Sequence, residues 1–313
     1  MNIRQFEYIL AVAEHKHFEL AADKCFISQS TLSTMIAKFE EEQQVKIFNR
    51  KKKPLEVTAE GELIINQLKI IVKQIQTLTE LTKEIKGEVS GKLSISVIPT
   101  IAPFLLPVFL HDFSLKFPQL HITVNEQTTE EIINKIKSRE LDIGILSIPV
   151  KEKYLLETPL YNEPFLLYDI KKRNKKRIHP KDLDYTNMWL MEDGHCLRTQ
   201  VIEICDMNEK NRKLQVNSNL HFSAGSIDSL LRFVKASGGK TLLPYLSTLD
   251  FTKKQKDCIN YFEPPVPYRS IGLVVHEDFA KKKILNLIKE EIQTKISRIL
   301  PKQKEPGRKI EPI

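Results

Sequence analysis

FISQSTLSTMIAKFEEE, residues 26–42, decides the N-terminal fold. Ser28 stands where a helix N-cap belongs, with a hydroxyl able to accept an orphan backbone N–H. Leu32, Ile36 and Phe39 recur at i, i+4 and i+7, so one helical face packs inward. The opposite face carries Gln29, Ser30, Thr31, Ser33 and Thr34, short hydrogen-bonding groups without bulk. Upstream, Phe6, Ile9, Leu10 and Ala13 give a first helix, and FELAADKC (18–25) a short second one with Leu20, Ala21 and Ala22 as contact residues. Downstream, VKIFNRKKKPLEVT (45–58) reads as two short strands around a basic turn punctuated by Pro54. The sum is a winged helix-turn-helix over residues 1–58. Its third helix is slim enough to enter a major groove and meet base edges, while basic wing residues sit on phosphates. Ser28, Gln29, Ser30, Thr31, Ser33, Thr34, Lys38, Arg50 and Lys52 are the expected DNA contacts, with Lys51 and Lys53 beside them in the wing.

Bulk charge does not make this argument. The 313-residue chain has a net charge of +8, yet Met1–Glu60 carries nine Lys/Arg against nine Asp/Glu. The excess lies in KKRNKKR (171–177) and beyond Lys281. Hydrophobic residues at 41% and charged residues at 28% describe a globular chain, long enough for two units. No apolar stretch approaches the ~20 residues of a membrane span, and MNIRQFEYIL lacks the apolar run of a signal peptide. A cytoplasmic location with no membrane partner is therefore expected. Four cysteines (Cys25, Cys196, Cys205, Cys258) are too few for a disulfide scaffold, and Cys25 and Cys258 read as packing residues.

From Thr58 one helical pattern runs to about Lys86. Ile64, Leu68, Ile71, Ile75, Leu78 and Ile85 keep a heptad alternation broken only at Thr82, so residues 59–87 read as a linker helix that pairs with a second copy. KGEVSGK (86–92) marks a boundary. Beyond it, LSISVI, LHITVN, LDIGILSI, FLLYDI and IGLVV read as buried strands, and PFLLPVFLHDF, EEIINKIKS, IDSLLRFVKAS and 282–300 as helices. This alternation predicts an α/β unit over 88–300 with largely parallel sheets. The chain is expected to leave a first lobe near Asn162 and return near Arg269, with a ligand crevice between two lobes. KEPGRKIEPI, within 301–313, reads as a flexible tail.

AADKCFISQSTLS, IFNRK and VTAEGE, with the α/β half to about Leu300, resemble the LysR-type transcriptional regulators over nearly the whole chain. The resemblance implies a winged helix-turn-helix, a dimerising linker helix and a two-lobed effector domain like a periplasmic binding protein. Ser30 stands where that family usually has proline, and Ala37 where it often has a basic residue. WLMEDGHCLRTQVIEIC (189–205), IPTIAPFLLP, SGGKTLLP and RSIGLVV narrow the likeness to the hydrogen-peroxide sensors of the family, although Thr199 replaces an acidic residue found in some of them. By that likeness Cys196 is the peroxidatic cysteine and Cys205 the resolving one, and Thr100, Thr129, His195 and Arg269 surround the peroxide; Arg198, two residues beyond Cys196, is expected in the same pocket.

The residues carry the chemistry in their own right. Gly194 lets the chain turn, and Cys196 then opens a helix, where the backbone and Arg198 one turn on favour a thiolate. A thiolate attacks peroxide to give a sulfenic acid, which a second thiol condenses. LRTQVIEI (197–204) has neither Gly nor Pro, and a helical Cys196–Cys205 segment sets the Cα atoms roughly 13 Å apart on opposite sides. A disulfide needs them within about 7 Å, so bridging requires unwinding. The expected molecule is a homodimer, and by family resemblance a homotetramer. It binds promoter DNA, contacts RNA polymerase, regulates antioxidant genes and is reset by cellular thiols. No cofactor and no metal are expected. Three other readings compete: a metabolite-responsive regulator with inert cysteines, a thiol peroxidase, and a metal sensor built on His195, Cys196 and Cys205. The chain has no CxxC, P-loop or GxGxxG to favour an enzyme, and the three donors lack metal-site spacing.

Overall fold

The computed structural model describes residues 1–312 apart from 53, 172–176, 184–186, 206–221 and 302–305. Lys53 and most of the 171–177 basic run thus lie outside the described residues. The chain divides into two compact units, Met1–Lys86 and Gly87–Ile313.

The first unit runs α1 (Ile3–His15), α2 (Phe18–Lys24), α3 (Gln29–Glu42), β1 (Phe48–Asn49), β2 (Glu56–Val57) and α4 (Ala59–Ile85). Each main helix begins at a side-chain cap. Asn2 and Gln5 form a reciprocal capping box on α1, Ser28 accepts from Thr31 N on α3, and Thr58 accepts from Gly61 N on α4. Leu32, Ile36 and Phe39 enter one apolar core with Phe6, Ile9, Val12, Ala21 and Ala22. Leu20, expected in that contact, is exposed instead, because a helix as short as α2 turns only its two alanines inward.

β1 and β2 pair antiparallel as the wing. The linker helix starts within this unit: Ile65 and Leu68 are buried in its core, while Leu63, Leu78, Leu81 and Ile85 remain exposed. A Cβ on Gly61 would lie 2.4 Å from the Ile47 carbonyl oxygen, so glycine lets α4 press against the residue that precedes the wing.

The second unit contains β3 (Gly91–Val97), α5 (Ala102–Lys116), β4 (Leu120–Glu126), α6 (Thr129–Lys137), β5 (Ile143–Ile148), β6 (Leu155–Asp169) and α7 (Cys196–Ile204). It continues with α8 (Ile227–Ser237), β7 (Lys240–Pro244), α9 (Lys253–Lys256), β8 (Ile259–Asn260), β9 (Val266–His276), α10 (Lys282–Ile296) and β10 (Gly307–Lys309). The strand order is β4-β3-β5-β9-β6-β7, with β8 on β6 and β10 on β9. Two long strands, β6 and β9, pass from one lobe to the other. Asn162 lies opposite Ser270 and Glu163 opposite Arg269, at the crossover the sequence indicates. Leu160 of β6 and Ile271, Leu273, Val274 and Val275 of β9 share one apolar cluster with α5, α6 and α10, while Phe165, Leu166, Leu167 and Tyr168 of β6 share another with α8 and most of α7.

Two expectations are corrected. The sheets are mixed: β3 is parallel to β4 and β5, but β9 runs antiparallel to β5 and β6, and β6 antiparallel to β7 and β8. Chain return through β9 reverses direction in a way that alternating elements do not reveal. Of the expected flexible tail, residues 307–312 are not loose either, while 302–305 and 313 lie outside the described residues. Gly307–Lys309 forms β10, parallel to Val266–Tyr268, and Ile310 is fully buried. One apolar side chain with a strand edge to pair with is enough to hold so polar a segment.

Candidate redox site and DNA-reading face

On α3, Gln29, Ser30, Thr31, Thr34 and Lys38 are exposed, and Ser33 is half-buried. The Ser28 hydroxyl meets Ser30 Oγ at 3.0 Å and Thr31 Oγ1 at 2.8 Å, so these groups are ordered on the exposed N-terminal turn. Arg50 is more than a free phosphate hand. Its Nη1 donates to Ser33 Oγ at 2.8 Å, its Nη2 lies 3.5 Å from Glu40 Oε2, and its guanidinium stands 5.0 Å from the Phe18 ring centre. Glu40, buried, also accepts from the backbone N–H groups of Ile47 and Phe48. One carboxylate therefore ties the recognition helix to the wing. Lys52 pairs with Glu56 at 2.6 Å within the wing.

In the second unit, Gly194 takes φ +93°, a left-handed conformation that suits glycine, and turns the chain into α7. Cys196 opens that helix and Cys205 caps its end. Both are unbridged and buried, and they belong to different apolar clusters: Cys196 to the one with α5 and α6, Cys205 to the one with α8.

Cys196 sits in a constructed pocket. Burial pushes its thiol up, against the opposing pull of the Arg269 guanidinium, the Thr129 hydroxyl and the backbone N–H groups of Leu197 and Cys196. The net direction is upward, contrary to the low pKa expected of a helix N-terminus. Desolvation outweighs the amides there. Arg198, expected to stabilise the anion, turns away. Its Nη1 donates to the Met191 carbonyl at 2.8 Å and its Nε pairs with Asp193 at 2.8 Å, so it braces the turn. The cation that acts on the sulfur is Arg269.

Arg269 is among the most buried large side chains in the protein. Its Nε donates to Glu163 Oε2 at 2.9 Å, its Nη1 to Thr100 Oγ1 at 3.1 Å and its Nη2 to the Thr100 carbonyl at 3.1 Å. The other Glu163 oxygen accepts from Leu246 N at 2.7 Å. Thr128 and Thr129 separate cleanly. Thr128 forms the capping box of α6 with Glu131, whereas Thr129 is buried and its Oγ1 faces the Cys196 sulfur without a well-formed bond to any other described group. That hydroxyl beside the sulfur favours the thiolate and keeps hydrogen-bonding capacity to spare. His195 is buried, with Nε2 3.5 Å from Glu192 Oε1.

Two participants escaped sequence reading. Glu163 had a legible trace, a carboxylate between the apolar runs of LYNEPFLLY. Gln200 is fully buried and donates to Ser147 Oγ at 3.0 Å and to the Ile310 carbonyl at 3.3 Å. Among the described residues, no group of three His, Cys, Asp or Glu side chains is placed to hold a metal ion. No helix there is long and apolar enough to cross a membrane.

Comparison with known proteins agrees with this geometry. Residues 3–62 match the family described as bacterial regulatory helix-turn-helix protein, lysR family, and residues 86–294 match the LysR substrate binding domain. The hydrogen peroxide-inducible genes activator of Pectobacterium carotovorum subsp. carotovorum is 34% identical over 277 residues, covering 88% of this chain and 90% of that protein. The DNA-binding transcriptional dual regulator OxyR of Escherichia coli K12 is 33% identical over 279 residues, covering 88% and 89%. A full-length OxyR structure from Pseudomonas aeruginosa, carrying a cysteine-to-aspartate change, superposes with a TM-score of 0.72 at 28% identity. It covers 94% of this chain and 98% of that one.

Proposed function

The chain belongs to the LysR family of DNA-binding transcriptional regulators, and from that premise we propose that it senses hydrogen peroxide through Cys196 and Cys205. The fold is that of a regulator and not of an enzyme. The Cys196 thiol loses its proton, and the thiolate attacks one peroxide oxygen. The O–O bond breaks, a proton joins the departing hydroxide, and the products are Cys196 sulfenic acid and water. The Cys205 sulfur then displaces the sulfenic hydroxyl as a second water and closes the disulfide. Two electrons from cellular thiols reverse the change. Arg269, Thr100 and Thr129 hold the peroxide and its leaving oxygen, and His195 lies beside the reacting sulfur in sequence.

One observation carries this reading. The two thiols stand at opposite ends of an intact helix, in separate apolar clusters, so the bridged and helical states exclude each other. A bond compatible with only one of two conformations biases their equilibrium. Bridging unwinds α7, and the rearrangement alters the spacing of DNA-binding arms in a cytoplasmic homotetramer whose linker helices pair along the heptad seam that ends in the exposed Leu78 and Ile85. The promoter contacts are the exposed groups of α3 with Arg50 and Lys52 of the wing, and the altered spacing changes contact with RNA polymerase at antioxidant genes. Thiol-state mass spectrometry of reduced and peroxide-treated protein, paired with DNA footprinting, tests this. The expected outcome is a Cys196–Cys205 bridge with an altered footprint. An unchanged footprint after clean bridging rejects the switch, and an unimpaired response in Cys196→Ser supports the metabolite-binding alternative.

A further inference from the structure

The C-terminal strand is held by the helix that carries both thiols. Gln200 Nε2 donates to the Ile310 carbonyl at 3.3 Å, and Arg308 Nη2 lies 3.4 Å from Glu203 Oε1. Ile310 is fully buried in the same apolar cluster as Leu197, Val201, Ile204 and Cys205. Its backbone N–H donates to the Tyr268 carbonyl at 2.8 Å, one residue before Arg269 of the thiol pocket. β10 pairs with Val266–Tyr268, and Glu311 pairs with Lys151. Gln200 also donates to Ser147 Oγ on β5, so one buried amide joins α7 to both β5 and the C-terminal strand.

We propose that residues 307–312 form a strap that fastens α7 in its helical, reduced form and thereby sets how readily the Cys196–Cys205 pair oxidises. The inference rests on the redox reading above. Gln200 and Glu203 lie between the two cysteines, so the unwinding that bridging requires removes both side-chain anchors and the apolar wall around Ile310. What remains is three residues of strand pairing, the Ile310 N–H bond to Tyr268 and one exposed ion pair, too little to order so short a segment against its conformational entropy. Attachment of the strap and bridging of the thiols are then mutually exclusive. Linkage makes the effect reciprocal: the strap disfavours the disulfide, and the disulfide releases the strap.

The test uses the full chain beside a truncation after Pro306 and the point variant Ile310→Ala. Each is equilibrated in buffers of reduced and oxidised dithiothreitol, and the bridged fraction is read by thiol-state mass spectrometry. Both variants are expected to shift the equilibrium toward the disulfide, the truncation by about tenfold, equivalent to about 30 mV for this two-electron couple. A measurement without mutation runs in parallel. Trypsin is expected to cut after Arg308 or Lys309 at least about tenfold faster in the bridged wild type than in the reduced one, as opening exposes the paired backbone. Unchanged equilibria in variants that fold, or equal cleavage of the two wild-type states, overturn the strap. A wild-type chain that forms no Cys196–Cys205 bridge overturns the peroxide reading itself, and the strap with it.

Discussion

Replacing Arg269 with methionine separates the two roles of the buried guanidinium. Glu163 is fully buried, with one oxygen on Arg269 and the other on Leu246 N. Removing the cation strands that charge, and breaking a buried pair from one side costs about 3–5 kcal/mol. For a domain of this size each kcal/mol moves the midpoint by roughly 2–4 °C, so Arg269→Met should melt roughly 6–20 °C below wild type. Adding Glu163→Gln removes the stranded charge and keeps an acceptor for Leu246 N, so the double variant should regain more than half of that loss. Reactivity should not return with it. Arg269 is the charge that counters the effect of burial on the Cys196 thiol, so both variants should react with peroxide more slowly than wild type at neutral pH. Thermal unfolding followed by circular dichroism reads the first effect, and stopped-flow loss of free thiol reads the second. A double variant no more stable than the single one, or a single variant oxidised at the wild-type rate, would refute the reasoning.

Further expectations follow from the same geometry. Gln29→Ala should cost about 1–3 kcal/mol on the preferred operator and relax its choice of sequence, whereas Lys52→Ala should weaken all DNA alike and reduce the salt slope by about one; fluorescence-anisotropy titrations at several salt concentrations distinguish them. Burial pushes the Cys205 thiol up to about 12, so between the ordinary thiol value and that pH the native state holds a proton that the unfolded state has lost. Stability should fall with rising pH in that window by about 1.4 kcal/mol per unit from this group, and urea titrations of Cys205→Ala should lack that contribution. Ile36→Ala, at a fully buried position of α3, should destabilise the N-terminal unit by about 2–5 kcal/mol, read as an earlier melting transition and lost operator binding.

Much of this was legible because particular residues carry strong local rules. Ser28, Leu32, Ile36 and Phe39 announce a capped amphipathic helix, and all four behave so. The crossover near Asn162 and Arg269 shows where apolar strand runs change partner. What failed depended on distance in space. Arg198 is only two residues from Cys196, about half a helical turn, and points into the preceding turn, while Arg269 reaches the sulfur from a strand far along the chain. A helix N-terminus favours a thiolate only as far as solvent or charge offsets burial, and no sequence pattern states how deeply a cysteine is buried. KTLLP and GRK are too short to show a strand period, so β7 and β10 were hidden. The long helical pattern after Thr58 was legible as α4, but Ile65 is buried near its start while Ile64 is only half-buried, because that end of α4 packs on its own N-terminal core.

The central claim is that the helix and the bridge cannot coexist. Peptide-resolved hydrogen exchange across residues 196–205, with disulfide mapping of the same samples, tests it directly. In the reduced protein the amide of Cys205, which donates to the Val201 carbonyl at 3.0 Å, should be protected. After peroxide, a mapped Cys196–Cys205 bridge should coincide with loss of that protection through α7. A bridged protein that keeps its α7 amides protected would contradict the account.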